Sequence, residues 1–582
     1  MNFFKSFFAS CLGTLAALIV LIFIGISVIA SLSADKVVAV SDRSVLHLKL
    51  EAPMTELEID DPLAELFPSA ADQSLGLLRL MEVIQYAKTD PKIEGIYLNT
   101  SMLITGPASI QELRNSLLDF KESGKWIVSY ADAYSEGAYY LATTADKVYM
   151  YNEGEVEFNG LSTEVMFFKK LFDKLDIKPQ IFRVGDFKSA VEPFIRESLS
   201  EENKLQLNSL LGSIYGQMLR DISDARDIPL DRLKEISNKM LVQDADGAVK
   251  YGLIDSLLYD DQIYDELRSR LSLESKQKVP LVKYSQYKKS VPALGTSGNE
   301  IAVIVADGDI YPGRADNGIV GASTIVDLIR KARTNDRVKA IVLRVNSPGG
   351  VFQAADMMWR ELELASATKP VIASMSDYAA SGGYYLAMAC DTIVAQPTTI
   401  TGSIGVFTVL FDLSKFMDNK LGITAEEVKT GEIGELVTVT RTLNDTEKTI
   451  WQKQTDKIYE TFTRKAAEGR SMSQDQLKKI ASGRVWTGTE AKENGLADVM
   501  GGFNDAVDIA AKAAGVGDDY RLRYYPQPKP LLDRLMGNVE EEVKVAMMKG
   551  ELGEQYSWYR QWEKVKTYQG VQARMPFEFT IQ

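Results

Sequence analysis

The chain repeats itself, and that repetition limits what it can fold into more than any other feature. "VIQYAKTDPKIEGIYLNT" (Val83 to Thr100) aligns without a gap on "LIRKARTNDRVKAIVLRV" (Leu328 to Val345), an offset of 245 residues. The same offset carries "GAYYLATTAD" (Gly137 to Asp146) onto "GGYYLAMACD" (Gly382 to Asp391). "YGLIDSL" (Tyr251 to Leu257) resembles "NGLADVM" (Asn494 to Met500) at an offset of 243. One offset held over such a span implies two copies of one domain. They cover residues 40–285 and 300–520, with "SVPALGTSGNE" (Ser290 to Glu300) as the linker.

Each copy alternates strand-like and helix-like patterns. "VKAIVLRV" is a β-rich run, and "AADMMWRELELAS" after it has helical apolar spacing at Met357, Met358, Leu362 and Leu364. The short apolar run "KPVIASM" follows. This βαβ alternation predicts an α/β fold, with a mainly parallel sheet covered by helices, in each copy. Residues 521–582 form a C-terminal extension of unknown role. It opens with "YYPQPKPLLDRL" and reads as a partly helical appendage without visible chemistry.

Phe7 to Leu32 carries no charge. That is long enough to cross a ~30 Å hydrocarbon core as a helix. It also exceeds the apolar region of a cleavable signal peptide, about 7–15 residues. An uncleaved anchor is therefore expected over 7–32, after a short cytoplasmic segment at 1–6, although "SLSA" ending at Ala34 leaves cleavage open. The large domains after it are expected outside the cytoplasm. A net charge of −14 without a dense basic stripe argues against nucleic acid as a partner. Two cysteines, Cys11 and Cys390, supply neither a disulfide framework nor a zinc site.

Chemistry should appear where the copies differ. "NSPGG" (Asn346 to Gly350) has backbone amides free to face a bound oxygen, or is an ordinary strand-to-helix turn. The first copy has "SMLIT" (Ser101 to Thr105) there, without the glycines. "TITGSIGVF" (Thr399 to Phe407) sets Ser403 between two glycines, where the first copy has Phe158. Ser403 is a candidate nucleophile, a turn residue, or an N-cap for a helix over "VFTVLFDLSKFMDNKL". Such a helix would favour developing negative charge beside the serine.

A serine nucleophile needs a base. His47, the one histidine in the chain, lies in the strand-like "SVLHLKL" of the copy that lacks the serine, so a Ser-His-Asp arrangement is rejected. A neutral lysine is the alternative. Lys188 in "RVGDFKSAVEPF" lies among apolar residues, although Asp186 and Glu192 also suit a surface lysine. The second copy has Ile433 or Gly434 at the corresponding place. One copy has the lysine without the serine, and the other the serine without the lysine. Free lysine titrates near ~10.4, so a neutral amine near pH 7 costs roughly 4 kcal/mol. Burial in an apolar site supplies a shift of that sign.

The anchor, the duplication, "VNSPGG", "SGGYYLAMACD", "TGSIGVF" and "VGDFKSAVEPF" together resemble the signal peptide peptidase A (protease IV) family in its long double-domain form. The resemblance runs from about Val38 to Gly515. It implies two tandem ClpP/crotonase-like domains after an N-terminal transmembrane helix. It also implies a Ser/Lys dyad that degrades released signal peptides and other apolar extended peptides. On the matching positions Ser403 is the nucleophile and Lys188 the general base, with Gly350 and the Ile404 amide as the oxyanion hole. No metal or cofactor is implied, and a homotetramer at the bacterial inner membrane with periplasmic catalytic domains is expected. The alternatives are a crotonase-type acyl-CoA enzyme, whose carboxylate acid/base pair is not seen at matched positions, and a catalytically inactive membrane scaffold.

Overall fold

The computed structural model describes residues 40–58, 74–292, 297–314, 318–527 and 570–575, with parts of 6–20. Element pairs recur at the offset read from the sequence. Helices Leu77–Thr89 and Ala322–Thr334, helices Pro107–Lys121 and Phe352–Ser366, and strands Trp126–Ala131 and Val371–Ala380 are such pairs. Leu77–Thr89 is helical because Leu77, Leu80, Met81, Ile84 and Ala87 make one buried stripe at helical spacing. In its counterpart Ile325, Ile329 and Ala332 do the same.

In the first repeat six parallel strands form one sheet, in the order Ser256–Leu257, Lys147–Met150, Trp126–Ala131, Ile93–Leu98, Ser44–Leu48, Leu281–Lys283. The second repeat builds an eight-stranded sheet around Glu300–Asp307, Val338–Ser347 and Val371–Ala380. Strands buried on both faces read as continuous apolar runs, which is what "VKAIVLRV" announced. The repeats share one core: Ile301, Val303, Ala340 and Val342 pack in the same cluster as Leu46, Leu98, Ile110 and Leu113.

A polar cluster crosses that seam. The guanidinium of Arg344, wholly buried, reaches Glu56 (Nε to Oε2, 2.8 Å) and Glu112 (Nη2 to Oε2, 2.5 Å) of the first repeat. It also donates to Ser374 Oγ at 3.0 Å and Ser376 Oγ at 2.9 Å. Nearby, Asp377 accepts from the Ser109 amide at 2.9 Å and the Ser109 hydroxyl at 2.6 Å. Burial pushes the Asp377 carboxyl up to about 6 and that of Asp307 up to about 7. A carboxyl raised in the folded state favours folding at acid pH. That contribution is lost as pH rises through these values.

One reading of the sequence changes. "VFTVLFDLSKFMDNKL" is not one helix after Ser403: Val406–Asp412 is a strand, and the helix begins only at Ser414–Leu421. The β-branched and aromatic run "VFTVLF" finds a strand partner along its whole length, which outweighs helical spacing. The helix expected directly after Ser403 therefore does not start beside it. In the tail, Arg521–Tyr525 extends the second sheet and Gly570–Arg574 enters a third, and 528–569, on which the partly helical reading falls, lie outside the described residues. The expected anchor at 7–32 lies mostly outside the described residues. Among those described, no helix is long and apolar enough to cross a membrane.

Candidate active site

The third sheet is built from both repeats and the tail. Its order is Ile319–Gly321, Asp309–Tyr311, Gly349–Val351, Gly570–Arg574, Val406–Asp412, Lys178–Val184. Lys178–Val184 comes from the first repeat and runs antiparallel to Val406–Asp412 of the second, with Val184 opposite Val406. Each repeat has here the strand that the other lacks, since 161–167 and 423–429 form no strand. The pairing fixes both chemistries at one end: Lys188 lies four residues after Val184, and Ser403 three before Val406. Phe172, Ala190, Val191 and Phe194 then pack on Phe407 and Val409, clamping the lysine segment onto the serine strand.

Lys188 Nζ lies 3.0 Å from Ser403 Oγ, 2.9 Å from Ser403 O and 2.9 Å from Ser381 Oγ. All three residues are wholly buried. Among the described residues no carboxylate pairs with this amine, and burial holds it well below the ordinary lysine range. Asp186, one of the two flanking carboxylates, is exposed. The other, Glu192, accepts from the Ser200 amide at 3.2 Å and Asn203 Nδ2 at 3.1 Å. The lysine is a core residue and not a surface one.

Ser403 occupies the break between two sheets: Ile400–Gly402 belongs to the second, Val406–Asp412 to the third. That turn holds Gly402 at φ 77° and Ser403 at φ 51°, and Ser381 also has a positive φ of 54°. Non-glycine residues in this region cost of order 1–3 kcal/mol and persist only where the surroundings enforce them. Here the Ser403 amide donates to Arg484 O at 2.7 Å, and the Ser381 amide to Gly402 O at 2.8 Å.

Two glycines make the slot for the lysine stem. A Cβ on Gly483 would sit 2.7 Å from Lys188 Cβ, and one on Gly405 would sit 3.2 Å from Lys188 Cδ. Gly483 also has a φ of 78°. Gly483→Ala is therefore expected to displace the lysine and lower kcat at least about 100-fold, since small misplacements of reacting groups cost this much. Steady-state kinetics on a protein whose melting shows it folded would check this.

Gly350 lies on Gly349–Val351, opposite Ile310 on one side and Ala573 on the other. A Cβ on Gly350 would meet Ile310 O at 2.1 Å, so only glycine allows this approach. Gly382 follows Ser381, and a Cβ built on it would lie 3.2 Å from the Gly350 nitrogen. The glycine pair is thus set beside the lysine site, and Ile404, which the family resemblance places in the oxyanion hole with Gly350, is buried directly after Ser403. His47 is elsewhere, half-buried in the first sheet and stacked on Tyr97 at 4.9 Å. Phe158, at the position of Ser403, is packed edge-on against Tyr139 at 5.9 Å in the first repeat's core.

Ser381 was not singled out from the sequence. Its signal was present in "SGGYYLAMACD", where the first copy has Glu136. Only the fold shows that its hydroxyl faces Lys188 from a third segment of chain.

The profile of peptidase family S49 matches twice, over residues 119–274 and 363–517. A chloroplastic serine protease SPPA of Arabidopsis thaliana is 36% identical, covering 89% of this chain and 76% of the plant protein. Protease 4 of Haemophilus influenzae is 33% identical, over 84% of this chain and 82% of its own. Protease 4 of Salmonella typhi is 34% identical, over 83% and 79%. A solved ClpP1 mutant from Listeria monocytogenes aligns on 35% of this chain and 94% of its own, at 16% identity and a TM-score of 0.24. That likeness is too slight to argue from. The two profile matches fall one in each repeat, and the relatives span both: the chain belongs to peptidase family S49 and is a serine endopeptidase.

Proposed function

We propose that the chain is a membrane-anchored endopeptidase with a Ser403/Lys188 dyad, acting on apolar, extended peptides such as released signal peptides. The observation that carries this reading is the 3.0 Å contact between Nζ and Oγ, where the amine has no counterion among the described residues. A neutral amine has two N–H groups and one lone pair. Donation to Ser403 O and Ser381 Oγ leaves the lone pair for the Ser403 hydroxyl proton.

In the reaction Lys188 takes that proton as Ser403 Oγ attacks the peptide carbonyl. The amides of Gly350 and Ile404 hold the oxyanion. Lys188, now an ammonium, protonates the leaving amine, and water then resolves the acyl-enzyme with the amine again as base. An apolar substrate suits this site because its side chains exclude water from Lys188. Phe7 to Leu32, free of charge, would hold the site beside the bilayer, and a homotetramer follows from the family resemblance.

The test is the pH profile with its controls. Lysine is active when deprotonated, so kcat/KM should rise with pH, with a midpoint well below ~10.4 because burial lowers the pKa. Ser403→Ala should abolish turnover of a signal-peptide-like substrate, while His47→Ala leaves it nearly unchanged. A midpoint at the ordinary lysine value, or a large loss in His47→Ala, would sink the dyad.

A further inference from the structure

The third sheet contains a strand that the repeats do not supply. Gly570–Arg574 lies between Gly349–Val351 and Val406–Asp412 and runs antiparallel to both. Gly349 faces Arg574, Gly350 faces Ala573, and Val351 faces Gln572. Phe407 and Thr408 face Gln572 and Val571 from the other side. Beyond the strand, the Met575 amide donates to Pro348 O at 2.7 Å. Without this segment a gap one strand wide would separate the glycine strand from the serine strand. That is the shape that binds an extended peptide by strand addition, with main-chain hydrogen bonds for affinity and side-chain sites for specificity.

The tail's side chains report what those sites hold. Ala573 is wholly buried, and its carbonyl oxygen would lie 3.1 Å from a Cβ on Gly382 and 2.1 Å from one on Gly349. Its side chain packs in the cluster that contains Ile404, the residue after Ser403. The next residue, Arg574, is 2% exposed, and its Nη2 lies 2.9 Å from Asp309 Oδ1. Asp309 belongs to the strand that pairs with Gly350 through Ile310. A carboxylate is therefore stationed one position beyond the small-residue site.

We propose that Asp309 is a specificity residue, holding a basic side chain of an extended peptide whose preceding small residue lies against Gly350. The chain's own Gly570–Arg574 is the resident occupant that such a peptide displaces. The proposal rests on the groove being the peptidase site, and it adds the substrate class: small, then basic.

Binding separates the two claims. The full chain carrying Ser403→Ala would be titrated with labelled Val-Gln-Ala-Arg-Met and Val-Gln-Ala-Glu-Met, read by fluorescence anisotropy. Competition from the resident strand weakens both equally, so their ratio reports the subsite. The arginine peptide should bind at least about tenfold more tightly, with Asp309→Asn bringing the ratio near one and Asp309→Lys reversing it. Arg574→Glu should tighten the arginine peptide by weakening its competitor. Equal binding of the two peptides, binding of neither, or a ratio unmoved by Asp309→Asn overturns the subsite. An unmoved affinity in Arg574→Glu overturns the resident strand. Binding needs no turnover, so failure of the Ser/Lys chemistry would show in the pH profile and leave these results standing.

Discussion

Lys188→Met should lose at least about 10³-fold in kcat/KM and still fold as well as the parent. The first half follows from removing the base in the Ser403 contact, since a positioned base contributes typically 10²–10⁴-fold and, among the described residues, no other titratable side chain contacts the Ser403 hydroxyl. The second half follows from linkage. Burial lowers the Lys188 pKa, so between its folded and unfolded values the unfolded chain binds more protons. Stability therefore rises with pH across that window, and at neutral pH the buried amine is a net cost. Unfolding free energies measured at several pH values should show this slope in the parent and its loss in Lys188→Met. Lys188→Arg separates charge from bulk. Guanidinium stays protonated at any workable pH, so the variant should be inactive and markedly less stable, with a charge buried where no carboxylate answers it. Substantial activity in Lys188→Arg would end the assignment of this residue as base.

Arg344→Met is expected to cost about 3–5 kcal/mol of stability, the usual effect of removing one member of a buried ionic cluster. Glu56 and Glu112, 1% and 2% exposed, would be left against each other without their cation. Because both come from the first repeat and Arg344 from the second, the damage falls on the seam between repeats. Denaturant unfolding should show an earlier transition or a separate early phase for the seam. Adding Glu56→Leu and Glu112→Leu to Arg344→Met should recover much of the loss, because the strain lies in uncompensated charge. A single Arg344→Met variant as stable as the parent would show that the cluster contributes nothing.

The duplication and the α/β class were legible in the sequence, and so was the pair of residues, Ser403 and Lys188, that the fold brings within 3.0 Å. Local pattern reports them: strand and helix periods depend on neighbours a few residues apart, and a repeat offset needs only self-comparison. Comparing Ser403 with Phe158, and Lys188 with Ile433, gave the pattern that a site shared between the copies would leave. What the sequence could not determine is everything that depends on which segments pair across long separations. "VFTVLF" has apolar residues that suit a helix or a strand equally. The presence of Lys178–Val184 beside it decides for the strand, and thereby sets the lysine against the serine. Ser381 is one serine among many until the turn after Val371–Ala380 points it at Lys188. The tail is the extreme case. "GVQAR" carries no motif, and its meaning comes only from the gap between two strands that belong to different parts of the second repeat. Backbone hydrogen bonding is blind to side-chain identity, so strand partners are chosen by the whole fold and not by the segment itself.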